Sequence, residues 1–279
     1  MILIADSGST KTDWAVVSEK GKITTIKTPG INPYYQGADS IIKALKINLK
    51  PELTAFTIQK VYFYGAGCTD EKGEVVKQAL KKIFPNIEIA VNNDLLAAAR
   101  ATCGHEKGIA CILGTGANSC YFDGITIQEN VPPLGYILGD EGSGAYIGIK
   151  LLSNFLKGEF PELLKVSFME SYQIKKDTVL EAVYRKPYPN RYLAGFSRFA
   201  HRYKNHPYII KLLEEGFQGF FDRNVMKYES CNTVPVHFVG SIAFHFKDIL
   251  VRESQKKKII LGNILESPIT GLADYHQPA

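Results

Sequence analysis

Ile2-Leu3-Ile4-Ala5-Asp6-Ser7-Gly8-Ser9-Thr10-Lys11-Thr12-Asp13-Trp14-Ala15-Val16-Val17 reads as two short strands on either side of a polar turn. Ile2 to Ala5 is an apolar run, and Thr12 to Val17 is rich in the β-branched and aromatic residues that suit a pleated, half-buried surface. The turn between them holds small residues, hydroxyls and one lysine. These are phosphate-cradling groups: glycine lets the backbone come close, N–H groups and hydroxyls donate, and lysine neutralises charge. The stretch is not a P-loop, which needs GxxxxGK[ST] followed by a helix, whereas Trp14 to Val17 reads as strand. An ordinary polar hairpin fits these residues equally well, so the flanking chain has to decide.

Outward from this hairpin, Glu19-Lys20-Gly21-Lys22 turns into a third strand at Ile23 to Lys27. A helix follows over Ala38 to Leu49, with Ile41, Ile42, Leu45 and Leu49 on one stripe. Then come a strand at Val61 to Tyr64, a helix over about Glu71 to Phe84, a strand at Ile87 to Val91 and a helix opening at Asp94. The order is βββαβαβα, and it begins again. Gly108 to Leu113, Asn118 to Phe122 and Ile125 to Gln128 read as three strands, with Asp123-Gly124 as a two-residue hairpin turn. A helix from Glu141 to about Leu156 and a long helical stretch to about Tyr228 follow. The chain then returns to a strand at Val236 to Val239, a helix from Ser241, a strand at Ile259 to Leu261 and a helix after Pro268. The sequence therefore predicts an α/β protein made of one duplicated unit, with domains at 1–106 and 107–279. The second carries a helical insertion at about 157–232, the last helix is a candidate to pack back onto the first domain, and a cleft between the halves is the expected ligand site.

Composition narrows the class. The 279 residues are 45% hydrophobic and 22% charged, enough apolar material for a core and too evenly mixed for a disordered chain. No apolar run approaches the roughly 18 residues of a membrane span, and no basic, small-residue-terminated leader opens the chain, so a cytoplasmic protein without a membrane partner is expected. Cys68, Cys103, Cys111, Cys120 and Cys231 are odd in number and lack a CxxC, which reads as reduced and buried rather than as a disulfide framework. The six histidines lack the spacing of a structural zinc site. The net charge of +5 is spread thinly, and its densest run, Lys256-Lys257-Lys258, reads as a solvated face rather than a nucleic-acid patch.

Further constellations lie at strand ends. Leu113-Gly114-Thr115-Gly116-Ala117-Asn118-Ser119 repeats the small-residue turn at the matching point of the second half. It fails as a dinucleotide fingerprint because Ser119 replaces glycine and a strand follows; Gly65-Ala66-Gly67-Cys68-Thr69-Asp70 fails because Asp70 replaces the third glycine. Asp94, after Asn92-Asn93, reads either as a helix N-cap or as a general base at the carboxyl end of a strand. Asp140-Glu141-Gly142-Ser143-Gly144 reads as an acidic helix start whose carboxylates could accept hydrogen bonds from sugar hydroxyls. Phe238-Val239-Gly240-Ser241-Ile242-Ala243 is a glycine turn between strand and helix that could press against a flat ring.

Taken together, these segments resemble the sugar kinase/actin/Hsp70 superfamily, and more closely its N-acetylglucosamine kinase branch, grouped with the BadF/BcrA-type ATPases. The resemblance runs through nearly the whole chain in order, and Leu134-Gly135-Tyr136 through Gly139-Asp140-Glu141-Gly142-Ser143 is its most specific segment. It implies two ribonuclease H-like (actin-like ATPase) domains and an ATP-dependent sugar kinase that phosphorylates N-acetylglucosamine or a related N-acetylhexosamine such as N-acetylmuramic acid. By position it implies ATP binding by Asp6, Gly8, Ser9, Thr10, Lys11, Thr115, Gly116, Gly195, Gly240 and Ser241, with Asp6 holding Mg²⁺ through water. Asn32, Asp94, Asn118, Leu134, Gly135 and Asp140 would bind the sugar, and Asp94 would be the base. Superfamily relatives are often dimers, so a homodimer is among the implied partners. Val131-Pro132-Pro133-Leu134 departs from the glycines and Trp of the better-known eukaryotic relatives, which leaves the amino sugar open. Two other readings compete. An iron–sulfur ATPase activator of a partner enzyme would need surface cysteines at ligating spacing, and a non-catalytic sugar sensor would have lost Asp94, Asp6 or Thr115.

Overall fold

Leu3 and Ala5 point to one face of the first strand and Ile4 to the other, and all three are buried. That double burial accounts for the unbroken apolar run, because a strand covered on both faces has no solvent side to alternate toward. The computed structural model describes residues 1–8 and 10–277, which divide into two units: Met1–Glu106 with Gly124–Ile127 and the segment opening at Ser267, and Lys107–Asp123 with Gln128–Glu266.

In the first unit β1 (Ile2–Ser7), β2 (Lys11–Val17), β3 (Ile23–Pro29), β4 (Lys60–Gly65) and β5 (Glu88–Asn93) form a sheet in the order β3-β2-β1-β4-β5. The β1–β2 and β2–β3 pairs are antiparallel, and the β1–β4 and β4–β5 pairs are parallel. Register places Asp6 opposite Asp13 on one side and beside Tyr64 on the other. One face packs Leu3, Ala5, Trp14 and Val16 with Ile41 and Leu45 of α1 (Ala38–Asn48) and Val76, Ala79 and Leu80 of α2 (Asp70–Ile83). The opposite face packs Ile4, Ala15, Val17 and Tyr64 with Ala97 of α3 (Asp94–Cys103) and with Leu272 and Ala273 near the C-terminus.

The second unit repeats the plan. β6 (Gly108–Leu113), β7 (Ala117–Phe122), β8 (Ile127–Glu129), β9 (Val236–Val239) and β10 (Leu261–Leu265) lie in the order β10-β9-β6-β7-β8, the same arrangement of three meandering and two crossover strands. After β8 come α4 (Gly135–Leu138) and α5 (Gly144–Leu156). The insertion is a cluster of helices: α6 (Glu162–Tyr172), α7 (Lys176–Tyr184), α8 (Pro189–Ala194), α9 (Ser197–Arg202) and α10 (Pro207–Arg223). Phe160, Phe168, Phe196, Phe199, Phe217 and Phe220 join it into one core with β6 and β9, so the long helical stretch packs through its aromatic side chains. α11 (Ser241–His245) and α12 (Lys247–Lys256) lead to β10, and α13 (Ile269–Tyr275) ends the chain's regular structure within the first unit.

Four local expectations need correcting. The third strand of the second half begins at Ile127, and residues 123–126 make a wider connection than a two-residue turn. Gly124 has φ +99°, and a Cβ there would meet the His105 carbonyl oxygen at 2.4 Å, so the chain follows a path set by that close approach. The strand expected at Ile259 starts at Leu261, because the Ile259 N–H bonds the Ser254 carbonyl (3.1 Å) in the exit from α12. Asp140 and Glu141 precede the helix rather than open it. Asp140 takes φ +57° and Gly142 φ +72°, and Ser143 caps α5 by accepting the Tyr146 N–H at 3.2 Å. Asn93, rather than Asp94, caps α3, accepting the Leu96 N–H at 2.8 Å.

His276 follows α13 and fastens it. Its Nε2 is 2.8 Å from the Tyr64 hydroxyl, which accepts a hydrogen bond of the same length from Arg100, and its ring stacks on Tyr62 at 3.8 Å. Arg100 also lies 5.1 Å from the centre of the Tyr275 ring, a cation–π arrangement. A Cβ on Gly271 would meet the Ala101 carbonyl oxygen at 2.2 Å, so α13 and α3 touch backbone to backbone.

Candidate active site

In the first unit the carboxyl ends of β1 and β5 and the start of β2 bring four charges together. Asp6 lies at the end of β1, Lys11 and Asp13 at the start of β2, and Asp94 at the first position of α3. Asp6 is pushed up to about 7, first by burial and then by the negative charges of Asp94 and Asp13, with Lys11 pulling the other way. Burial raises Asp94 as well, opposed by the N–H groups of Leu95 and of Asp94 itself. Capping by Asn93 leaves the Asp94 carboxylate at the positive end of the helix, the place where a negative charge is best tolerated. Cys68 is pushed up to about 12 by burial and by Asp94, so its thiol stays protonated beside that carboxylate.

The loops around these charges are tied by hydrogen bonds. Ser7 Oγ lies 2.7 Å from Thr12 Oγ1 and accepts the Ile31 N–H at 3.0 Å, which anchors the Gly30-Ile31-Asn32 stretch to the end of β1. The Gly8 N–H bonds the Lys11 carbonyl at 3.0 Å and the Gly30 N–H bonds the Thr10 carbonyl at 3.1 Å. Asn32 is buried, its Oδ1 accepting the Tyr34 N–H at 3.0 Å. Gly67 (φ +77°) lies so close that a Cβ would stand 2.7 Å from that oxygen, which gives the Gly65–Asp70 turn a place beside Asn32. Lys11 is exposed and paired with Asp13 at 2.7 Å, a pair that an anionic ligand would compete for. Ser9 lies outside the described residues.

Among the described residues no group of three or more His, Cys, Asp or Glu side chains could cage a metal ion. Asp13 Oδ1 is buried without a hydrogen-bond partner next to Asp6. Few protein oxygens and an excess of negative charge fit a hydrated Mg²⁺, which keeps several waters and takes other ligands from phosphate groups.

In the second unit the 113–118 loop is the meeting point. The Gly144 N–H donates to the Gly114 carbonyl (2.8 Å) and the Ala145 N–H to the Thr115 carbonyl (3.0 Å), docking the loop on the start of α5. Gly240 has φ +120°, and a Cβ there would sit 2.4 Å from the Leu113 carbonyl oxygen, so it presses directly on the loop; Ser241 opens α11 beside it. Gly195 ends α8, whose Ala194 packs against Gly144. Asp140 accepts the Ala117 N–H at 3.0 Å, and a Cβ on Gly116 would lie 3.0 Å from its other oxygen. Burial raises the Asp140 carboxyl, the Ala117 N–H lowers it, and Glu141 raises it again. Asn118 Oδ1 accepts from Asn130 at 3.0 Å. Leu134 and Gly135 open α4, Leu134 being 55% exposed.

A pocket of about 130 Å³ lies against this arrangement, lined by Pro132, Pro133 and Leu134 together with Asp140, Glu141, Arg223 and Asn224. Arg223 and Asn224 do not figure among the residues drawn from the sequence. They stand some 80 positions from Asp140, and no local pattern marks them.

A crystal structure from Porphyromonas gingivalis, of a protein given the provisional name N-acetylglucosamine kinase, is 47% identical to this chain, covers 99% of both chains and superposes with a TM-score of 0.95. The chain belongs to the N-acetylglucosamine kinase-like family. N-acetyl-D-glucosamine kinase of Dictyostelium discoideum is 27% identical over 171 residues, a match that spans about half the length of each protein, 55% of this chain and 53% of that one. A glucokinase of the ROK family from Streptomyces griseus, solved with glucose and AMPPNP, is 16% identical with a TM-score of 0.62 over 98% of this chain, and so shares the two-domain actin-like fold. No family model matches the chain. No helix among the described residues is long and apolar enough to cross a membrane.

Proposed function

We propose that this member of the N-acetylglucosamine kinase-like family is an ATP-dependent kinase that phosphorylates a hydroxyl of an amino sugar, N-acetylglucosamine or a related N-acetylhexosamine. The observation that carries the reading is Asp94, a carboxylate at the first position of a helix and in electrostatic contact with Asp6. A sensor without turnover would have no use for that arrangement. A cluster-bearing activator would need accessible cysteines, and all five are buried.

Phosphoryl transfer is mainly positioning and charge neutralisation, so each residue has a limited task. Gly8, Thr10 and Lys11 with Thr115 and Gly116 would hold the β- and γ-phosphates of ATP. Gly195, Gly240 and Ser241 would line the adenine and ribose. Asp6 would hold Mg²⁺ through water, and the ion would supply positive charge to the phosphate oxygens. Asn32, Asn118, Leu134, Gly135 and Asp140 would bind the sugar, Asp140 as a hydrogen-bond acceptor. Asp94 would orient the attacking hydroxyl and take its proton late, a role that requires no elevated basicity. Bound sugar would exclude the water that otherwise competes as acceptor, so that the phosphoryl group passes to the sugar hydroxyl rather than to water.

The test is ADP release from Mg-ATP against N-acetylglucosamine, N-acetylmannosamine, N-acetylmuramic acid, glucosamine, glucose and no sugar. Stimulation by one amino sugar supports the reading and names the substrate. A low rate indifferent to every sugar would overturn it.

A further inference from the structure

Glu141 is 8% exposed and follows the half-buried Asp140 directly, and its negative charge acts on the Asp140 carboxyl. Tyr146 of α5 faces Glu141, and Glu215 of α10 faces Tyr146, adding further negative charge. Arg223, the last residue of α10, forms an ion pair with Glu141, while Lys150 lies 5.6 Å from the centre of the Tyr146 ring. The fit is close around the pair: the Gly219 Cα would place a Cβ 3.4 Å from Glu141 Cγ, and a Cβ on Gly142 would meet the Gly216 carbonyl oxygen at 3.2 Å. The end of α10 and the Asp140–Gly142 turn are thus built against one another, with the pocket between Asp140 and Arg223.

We propose that Arg223 is a positioning residue for the sugar: by pairing with Glu141 it holds the Asp140–Glu141 turn so that Asp140 meets the substrate's hydroxyls as an ionised acceptor. The inference rests on the kinase reading above and assigns the helical insertion a part in sugar recognition. A carboxylate beside another without a counter-charge binds a proton more readily. A protonated Asp140 would turn from a pure acceptor into a partial donor and lose the charge-assisted bonds that select a sugar hydroxyl. Arg223 is suited to the task because its guanidinium stays charged at any working pH and several of its donors can serve a carboxylate.

Two measurements on the full chain test this. The first uses no substrate: carboxyl-carbon NMR titration of Asp140 in wild type, Arg223→Met and Arg223→Met/Glu141→Gln. The proton affinity of Asp140 should rise about tenfold in the single variant and return in the double variant, where the second charge is gone. The second is kinetic. Arg223→Met should raise the sugar KM about tenfold with kcat and the ATP KM within about twofold, and Glu141→Gln added to it should bring the sugar KM back to within about threefold of wild type. Arg223 is 58% exposed at its side chain, so its replacement spares the core. An unmoved Asp140 titration, or a fall in kcat with both KM values changed alike, would overturn the inference. If wild type transfers phosphate to no amino sugar, the proposed function fails, and the titration alone decides whether Arg223 holds the pair.

Discussion

His276 offers the sharpest stability test because its environment rejects a proton. Burial, then the neighbouring Arg100 and His105, push the imidazole down to about 4 from its ordinary 6.5. Above pH 6.5 neither the folded nor the unfolded chain carries that proton, and the group's contribution is constant. Between pH 6.5 and about 4 the unfolded chain binds the proton and the folded one does not, so stability drains away as the pH falls. The gap of about 2.5 units corresponds to an upper limit of about 3 kcal/mol. That is roughly 6–12 °C in Tm for a unit of this size. Trp14 is the chain's single tryptophan and is fully buried in the same unit, so its fluorescence reports the unfolding that matters. The experiment compares urea midpoints of wild type and His276→Gln at pH 7.5 and pH 4.5. Other groups titrate in both proteins, and the difference between the two losses isolates His276. His276 is only partly buried, and solvent screening reduces the limit, so wild type should lose about 1–2 kcal/mol more than the variant. Equal losses would refute the placement of a neutral His276 between Tyr62, Tyr64 and Arg100.

Three further outcomes follow from the geometry. Asp94→Asn should lower kcat by about 10²–10⁴ while ATP affinity, measured by calorimetry, stays near wild type. Asp140→Ala removes both the sugar acceptor and the partner of the Ala117 N–H, and should raise the sugar KM about 10–100-fold in steady-state assays. Gly240→Ala forces a Cβ against the Leu113 carbonyl oxygen at φ +120°; thermal denaturation should show a loss of about 1–3 kcal/mol, with a higher ATP KM.

Much of the architecture was legible because it is local. The apolar run at Ile2–Ala5, the polar turn after it and the recurrence of three strands from Gly108 are visible in a single sequence, and both sheets have the matching strand order. The misread details were decided by contacts that local patterns do not encode. Gly124 is routed by the His105 carbonyl, and Asp140 adopts a left-handed conformation to reach the Ala117 N–H. Asn93 outcompetes Asp94 for the cap because its side chain reaches the Leu96 N–H. Cys68 beside Asp94 could have been suspected from the Gly65–Asp70 turn, which has the shape of a ligand loop without matching any fingerprint. Arg223 could not: its partner Glu141 lies a whole helical insertion away.

The return of α13 to the first unit has a consequence for how this chain is made. Ile4, Ala15, Val17, Tyr64 and Ala97 share a core with Leu272 and Ala273, so one face of the first sheet is covered only in part, by α3, until α13 leaves the ribosome. The 166 residues that follow Cys103, up to Ile269, take roughly ten to thirty seconds to translate at bacterial to eukaryotic speeds. For that interval the helix that carries Asp94 lacks its backbone partner at Gly271 and the nascent sheet presents an apolar face to the cell, which makes the emerging chain, rather than the finished protein, the natural client of a chaperone.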